Sequence, residues 1–317
     1  MNAGKFISKC ALVACAMLFI GLPAVSNAQD DFSNVFIFGD SLSDGGNVYI
    51  KTGETSKAPY ALVPTVPYAI GGHHYSNGKT WAERLAQDLG DSRGGKPSLQ
   101  NPGKNGNYAH GGARARAGSG NSSPSSAEQV MDYLADYGVA DPNALYVLQF
   151  GGNDLRDALE AGANNPALVG PIIQAAVTEY LGSIQMLYGY GARHFLVANA
   201  PNLAHTPAIK LAGVEAIAGF LSGELNNGLA GGLGFLDAVI PDINLYRLNI
   251  AKFTDDVVAN PGDFGLTDTD SPCLIFFTAS DAKCDNPEER LFWDGLHPTA
   301  AAHNAIASEA LAVVYGN

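Results

Sequence analysis

The chain has 317 residues, with 18 Lys and Arg against 31 Asp and Glu and a formal net charge of −13. Such an acidic surface disfavours polyanions and anionic membranes and favours solubility, which sets nucleic acid aside as a partner. The length fits one large α/β domain.

Residues Met1 to Ala28 read as a secretory signal. Lys5 and Lys9 precede an apolar run from Ala11 to Val25, and Ser26-Asn27-Ala28 puts small residues at a cleavage site. A membrane anchor is the bland alternative, but the run is short and Pro23 interrupts it. Leu12-Val13-Ala14-Cys15 resembles a lipoprotein box, with Cys15 too deep in the apolar segment for that role. Cleavage after Ala28 leaves 29–317 as a single domain, with no later segment apolar and long enough to span a bilayer. Cys10 and Cys15 leave with the signal, and Cys273 and Cys284 remain. An even pair in an exported protein predicts a disulfide closing a short loop. A zinc pair is the competing reading, with His297 the nearest histidine.

Along the mature chain, short β-branched and aromatic runs alternate with helical patterns. Strands are predicted at Val35–Phe38, Leu145–Phe150, Phe195–Ala198 and Ile243–Leu248. Helices are predicted at Trp81–Leu89, Ala127–Tyr137, Ile172–Tyr188, Ala208–Leu225 and Ala300–Val314, with Asn77 capping the first and Thr299 the last. This alternation implies βαβ units and a mainly parallel sheet covered on both faces. The stretches Tyr49–Asn77, Asn101–Gly120 and Asn260–Asn286 read as irregular loops walling a cleft. The apolar segment Leu211–Phe235 reads as a core helix in preference to a movable flap.

Ligands of such sheets bind beyond the carboxyl ends of the strands. Ser41 lies at one such end, in Gly39-Asp40-Ser41-Leu42-Ser43-Asp44, and Gly151-Gly152-Asn153-Asp154 lies at another. Far downstream, Asp294 and His297 stand three apart, just before the last helix. A serine hydroxyl needs a base to become a nucleophile, and the base needs a group that fixes its tautomer. Ser41, His297 and Asp294 supply these parts. Taken singly, each has a plain structural explanation, as a turn serine or a capping pair. Acyl transfer also needs donors for the developing oxyanion. The Ser41 N–H, the Gly112 N–H in Asn107-Tyr108-Ala109-His110-Gly111-Gly112-Ala113 and the Asn153 amide are the candidates.

These blocks resemble the GDSL esterase/lipase family of SGNH hydrolases. Gly39–Asp44, Asn107–Ala113, Gly151–Asp154 and Asp294–His297 match its four blocks in order. Ser76-Asn77-Gly78-Lys79-Thr80-Trp81 and Phe264-Gly265-Leu266-Thr267 also look like family segments. The resemblance implies a flavodoxin-like three-layer α/β/α sandwich with a mainly parallel central sheet. It implies Ser41 as nucleophile, His297 as general base and acid, and Asp294 as its orienting carboxylate. It places Ser41, Gly112 and Asn153 in the oxyanion hole, and a cysteine pair such as Cys273/Cys284 is also met in the family. No Gly-x-Ser-x-Gly elbow surrounds any serine, which disfavours an ordinary α/β-hydrolase.

Other residues carry less. His73-His74 invites a metal, but no Asp or Glu stands at ligand spacing, and a cleft loop is the simpler reading. His303 fits a face of the last helix, His110 a substrate contact or a solvated loop, and His194 and His205 have no evident partner. Leu229–Gly234 lacks the strand and lysine of a phosphate cradle. The expected function is therefore a secreted serine carboxylic ester hydrolase without metal or cofactor, acting on a small-molecule or lipid ester. A phospholipase or acyltransferase, a glycan O-acetylesterase and a non-catalytic binding protein are the alternatives.

Overall fold

The β-branched and aromatic runs form four parallel strands in the computed structural model, which describes Met1 and residues 32–53, 74–118, 120, 122–274 and 284–316. The expected signal segment, His73 and most of the loop read over Tyr49–Asn77 lie outside these residues. The strands are β1 (Val35–Gly39), β2 (Leu145–Gln149), β3 (His194–Ala198) and β4 (Asn244–Leu248). They pair in the order β1-β2-β3-β4, with Val35 opposite Leu145, Leu145 opposite His194 and His194 opposite Asn244. Asp31–Asn317 make up one compact unit.

Nine α-helices occur among the described residues. They are α1 (Asn47–Thr52), α2 (Trp81–Asp88), α3 (Ser126–Tyr137), α4 (Gly152–Asn164), α5 (Val169–Gly189), α6 (Pro207–Ala212), α7 (Glu215–Val239), α8 (Ile250–Ala259) and α9 (Ala300–Tyr315). Side-chain alternation along the strands divides the core between two layers. Phe36, Phe38, Tyr146, Leu148, Phe195 and Val197 face one helical layer with residues from α3, α4, α5 and α7. Val35, Ile37, Leu145, Val147, Leu196 and Ala198 face the other, with residues from α2, α8 and α9. The expected three-layer sandwich is thus present.

Beyond β1 the sheet continues as a single bridge. Ile37 N–H donates to Gly106 O at 2.8 Å, Tyr108 N–H to Ile37 O at 2.7 Å and His110 N–H to Gly39 O at 3.0 Å. Residues 106–110 therefore run parallel to β1 on its free side, where a flavodoxin-like sheet carries its second strand. The chain order of the pairing reverses between β1 and β2, and in such sheets that reversal opens a crevice at the strand ends.

Several elements differ from expectation. The run read as one helix over Ala208–Leu225 breaks at Gly213, whose φ of 67° caps α6 in the left-handed region, and restarts as α7. That helix carries Leu229–Gly234 through as ordinary helix. It buries Ala218, Leu221, Leu225, Leu229, Leu233 and Leu236 on one face, so the core reading holds for that face only. Phe220 and Phe235 stay exposed on the other. Helices α1, α4 and α8 went unread because the residue that caps each, Gly46, Gly151 or Asn249, reads as a turn. The cap of α2 is Thr80, which forms a capping box with Glu83, and Asn77 instead accepts from Ala300 N–H at 2.7 Å. Thr299 caps α9 as expected.

Contrary to the sequence reading, Pro166–Gly189 has the length and mean hydropathy, 1.3, that a spanning helix needs. In the fold its α5 portion packs against α3, α4 and α7 and buries Ile173, Ala176, Tyr180, Ile184 and Leu187. Tyr180 also donates to Leu148 O at 2.7 Å and lies 2.9 Å from Ala198 O, so the carboxyl ends of β2 and β3 are satisfied from below.

Candidate active site

Strand β1 delivers Ser41 through a tight turn in which Ser43 and Asp44 N–H groups both donate to Asp40 O, at 3.1 and 3.0 Å. The turn needs glycine before it, because a Cβ on Gly39 would lie 2.8 Å from Gln149 O. Gln129 from α3 clamps Gly39, donating to its carbonyl and accepting from its N–H, both at 2.9 Å. Asp44 is the brace of the turn. Its carboxylate accepts from Gly46, Asn47 and Val48 at the start of α1, and from Gly111 N–H at 2.9 Å. Asn47 and Asn107 then exchange contacts across the same gap, Asn47 to Asn107 O and Ala109 O and Asn107 to Ser43 O. The nucleophile candidate and the glycine block are thereby fixed to each other.

The segment before α9 brings the other two side chains. His297 Nε2 lies 2.8 Å from Ser41 Oγ, and Nδ1 lies 2.7 Å from Asp294 Oδ2. Asp294 is fully buried, and its Oδ1 accepts the backbone N–H groups of Leu296 and His297, each at 2.8 Å. An acceptor-only carboxylate at Nδ1 selects the tautomer with the proton on Nδ1, leaving Nε2 to accept from the serine hydroxyl. The Tyr75 ring packs 5.0 Å from the imidazole. Tyr75 shares a small buried cluster with Trp293 and Cys273. Cys273 and Cys284 form a disulfide, as the sequence predicted, and Cys273 N–H donates to Phe292 O in the strip that carries Asp294.

The candidate donors converge from two other strand ends. Gly151 sits at φ 115° and opens α4, and its Cβ would crowd Ala200 and Leu225 at 3.1 and 3.2 Å. Asn153 follows in the first turn, 5% exposed, with Nδ2 donating to Ala113 O at 2.9 Å. Asp154 then accepts from Ala115 N–H, and Arg114 and Arg116 pair with Asp157, which ties α4 to the glycine block. In that block the two glycines serve different needs. A Cβ on Gly111 would fall 2.1 Å from the Tyr75 hydroxyl, while Gly112 adopts φ 78°. Gly111 N–H is already donated to Asp44, which removes it as a donor to substrate and favours Gly112. Ser123 Oγ donates to Gly111 O at 2.6 Å and so sets the plane of the peptide that carries the Gly112 N–H.

Asp40, Ser41, Asn153, Arg156, Leu203 and His297 line one small cavity. Burial pushes Asp40 up to about 6, against hydrogen bonds from Leu42 N–H and Gln149 that favour its charged form. Sequence reasoning missed Asp40, Gln129, Gln149 and Ser123, because each matters only through a partner far along the chain.

Among the remaining histidines, His303 lies on the last helix as expected and the others gain partners or burial that the sequence did not show. His74 lies 2.9 Å from Glu83, a partner that sequence spacing hid. His205 pairs with Asp255 at 2.7 Å, and His194 stacks edge-on with Phe32. His110 is buried, not solvated, with Nδ1 on Tyr108 O. His303 is buried on α9 and accepts from Trp81 N–H at 3.2 Å. Among the described residues no cluster of three His, Cys, Asp or Glu could hold a metal.

The family model described as GDSL-like Lipase/Acylhydrolase matches residues 35–310. Lipase 1 of Photorhabdus luminescens is 34% identical over 200 residues, which are 62% of this chain and only 26% of that protein's length. A GDSL esterase/lipase of Arabidopsis thaliana is 26% identical over 350 residues, covering 96% of this chain and 93% of its own. A phosphatidylcholine-sterol acyltransferase of Aeromonas hydrophila is 26% identical over 359 residues, covering 92% and 93%. The chain belongs to the GDSL-like lipase/acylhydrolase family.

Proposed function

We propose that this family member is an exported serine esterase that hydrolyses carboxylic esters through an acyl-enzyme on Ser41. The observation that carries the reading is the buried chain of contacts from Ser41 Oγ to His297 Nε2, and from His297 Nδ1 to Asp294. His297 takes the hydroxyl proton as Ser41 Oγ attacks the ester carbonyl, and Asp294 holds the imidazolium that results. The tetrahedral oxyanion is met by the N–H groups of Ser41 and Gly112 and the amide of Asn153. Collapse expels the alcohol, which receives the proton from His297. Water, activated by the same imidazole, then releases the acid and restores Ser41.

Export is part of the proposal. It rests on the signal-like Met1–Ala28 and on a disulfide that a reducing cytoplasm would not sustain. The similarity to a phosphatidylcholine-sterol acyltransferase supports a second reading, in which an alcohol replaces water as acceptor at the same serine. The test is Ser41→Ala, read by hydrolysis of p-nitrophenyl butyrate and by labelling with a fluorophosphonate. Both signals vanish in the folded variant if the proposal is right. Retention of most of the hydrolysis defeats it.

A further inference from the structure

The cavity over Ser41 is about 40 Å³, room for little beyond the smallest acyl groups, while a groove of about 460 Å³ opens beside it. Arg156 on α4 lines both. Asn153, Arg156, Glu160 and Ala163 recur at steps of three and four and so share one face of α4. That face begins at the Ser41 cavity and ends against the corner between α6 and α7. There Ile209, Ala212, Val214 and Ile217 form an apolar wall. The corner is anchored beside the active segment, because Ala208 N–H donates to Gly295 O at 2.9 Å. Its rim leaves apolar bulk facing solvent, with Leu211 86% and Ile217 49% exposed. Of the charged residues lining the groove, Arg114 pairs with Asp157 of α4, and Leu159 adds an apolar side chain to the same wall.

We propose that this groove is the acyl-chain subsite and that the substrate class is medium-chain carboxylic esters. The assignment rests on the esterase reading of Ser41. The ten steps from Asn153 to Ala163 advance about 15 Å along the helix axis. An extended chain gains about 1.2 Å per bond, since three backbone bonds span roughly 3.3–3.6 Å, so the track accommodates about 12 carbons. The carbonyl sits between Ser41 and Asn153, the chain turns past Arg156, and the tail lies against Val214 and Ile217. Full burial of a methylene is worth about four-fold in an equilibrium or rate constant, and an open groove covers about half of it. Each methylene up to that length then raises kcat/KM by about two-fold.

The experiment measures kcat/KM on p-nitrophenyl esters from acetate to palmitate for the full chain and for Ala163→Trp and Ala212→Trp. Both alanines are exposed, so the bulk enters the groove without entering the core. The wild type should climb from acetate to a maximum near decanoate or laurate. Each variant should keep its acetate rate and fluorophosphonate labelling while losing at least ten-fold on laurate. A wild-type profile highest at acetate overturns the subsite, and so does an equal effect of either tryptophan on acetate and laurate. Failure of the wild type to hydrolyse any ester overturns the esterase reading itself, and the subsite with it.

Discussion

Replacing Asn153 by Ala removes two interactions of different kinds. One amide hydrogen is donated to Ala113 O at 2.9 Å, and the side chain lines the Ser41 cavity while only 5% exposed. Losing the backbone contact costs about 1 kcal/mol of stability. Domains of this kind hold roughly 5–15 kcal/mol, so the variant stays folded. Losing an oxyanion donor costs about 3 kcal/mol in the transition state, so kcat falls about 10²- to 10³-fold while KM barely moves. Asn153→Asp keeps the shape but sets a carboxylate where negative charge develops. At about 4 Å and an effective dielectric of about 20, that repulsion is about 4 kcal/mol, which puts the Asp variant below the Ala variant. Initial rates on p-nitrophenyl butyrate for the three proteins, with thermal melts to verify folding, decide the matter. An Ala variant within three-fold of the wild-type kcat, or an Asp variant faster than the Ala one, refutes the role given to Asn153.

Ser123→Ala frees the Gly111 carbonyl and with it the orientation of the Gly112 N–H. A bond worth about 1 kcal/mol biases that peptide about five-fold, so kcat falls by about that factor, KM holds, and Ser123→Thr restores it. His303 is held down to about 3, first by burial and then by repulsion from His297 and His74. A base depressed on folding adds stability that is present above its unfolded value, about 6.5, and lost as pH falls toward 3. Urea midpoints should therefore drop across that window, and His303→Gln should flatten the drop. Asp40, raised to about 6 by burial, works in the opposite sense, its contribution present below about 4 and lost as pH climbs through 6. Cys284→Ser opens a loop of sequence separation 11 and should cost about 3 kcal/mol, read as a lower urea midpoint that reductant no longer shifts.

The chain order of motifs already determines much of this protein. Alternating apolar strands and helical periods specify a parallel sheet with two covered faces, because the periods of two and 3.6 are local properties of the backbone. The proposed site residues Ser41, Asp294, His297, Gly112 and Asn153 stand out in the sequence for a related reason. Each sits at a strand or helix end, where glycines and caps mark the chain. What tertiary structure alone decided is how those ends are held. Asp44 reaches from the Ser41 turn to Gly111, Gln129 clamps Gly39 from α3, and residues 106–110 replace a strand beside β1. None has a signature in sequence, because a hydrogen bond between residues tens of positions apart leaves no periodicity. The proposal of Gly112 over Gly111 as donor draws on the same kind of contact, a carboxylate that occupies the Gly111 N–H and a tyrosine that bars a side chain there. The groove along α4 belongs to this second class. It exists only because the break at Gly213 turns α6 and α7 toward a helix face that begins at Asn153.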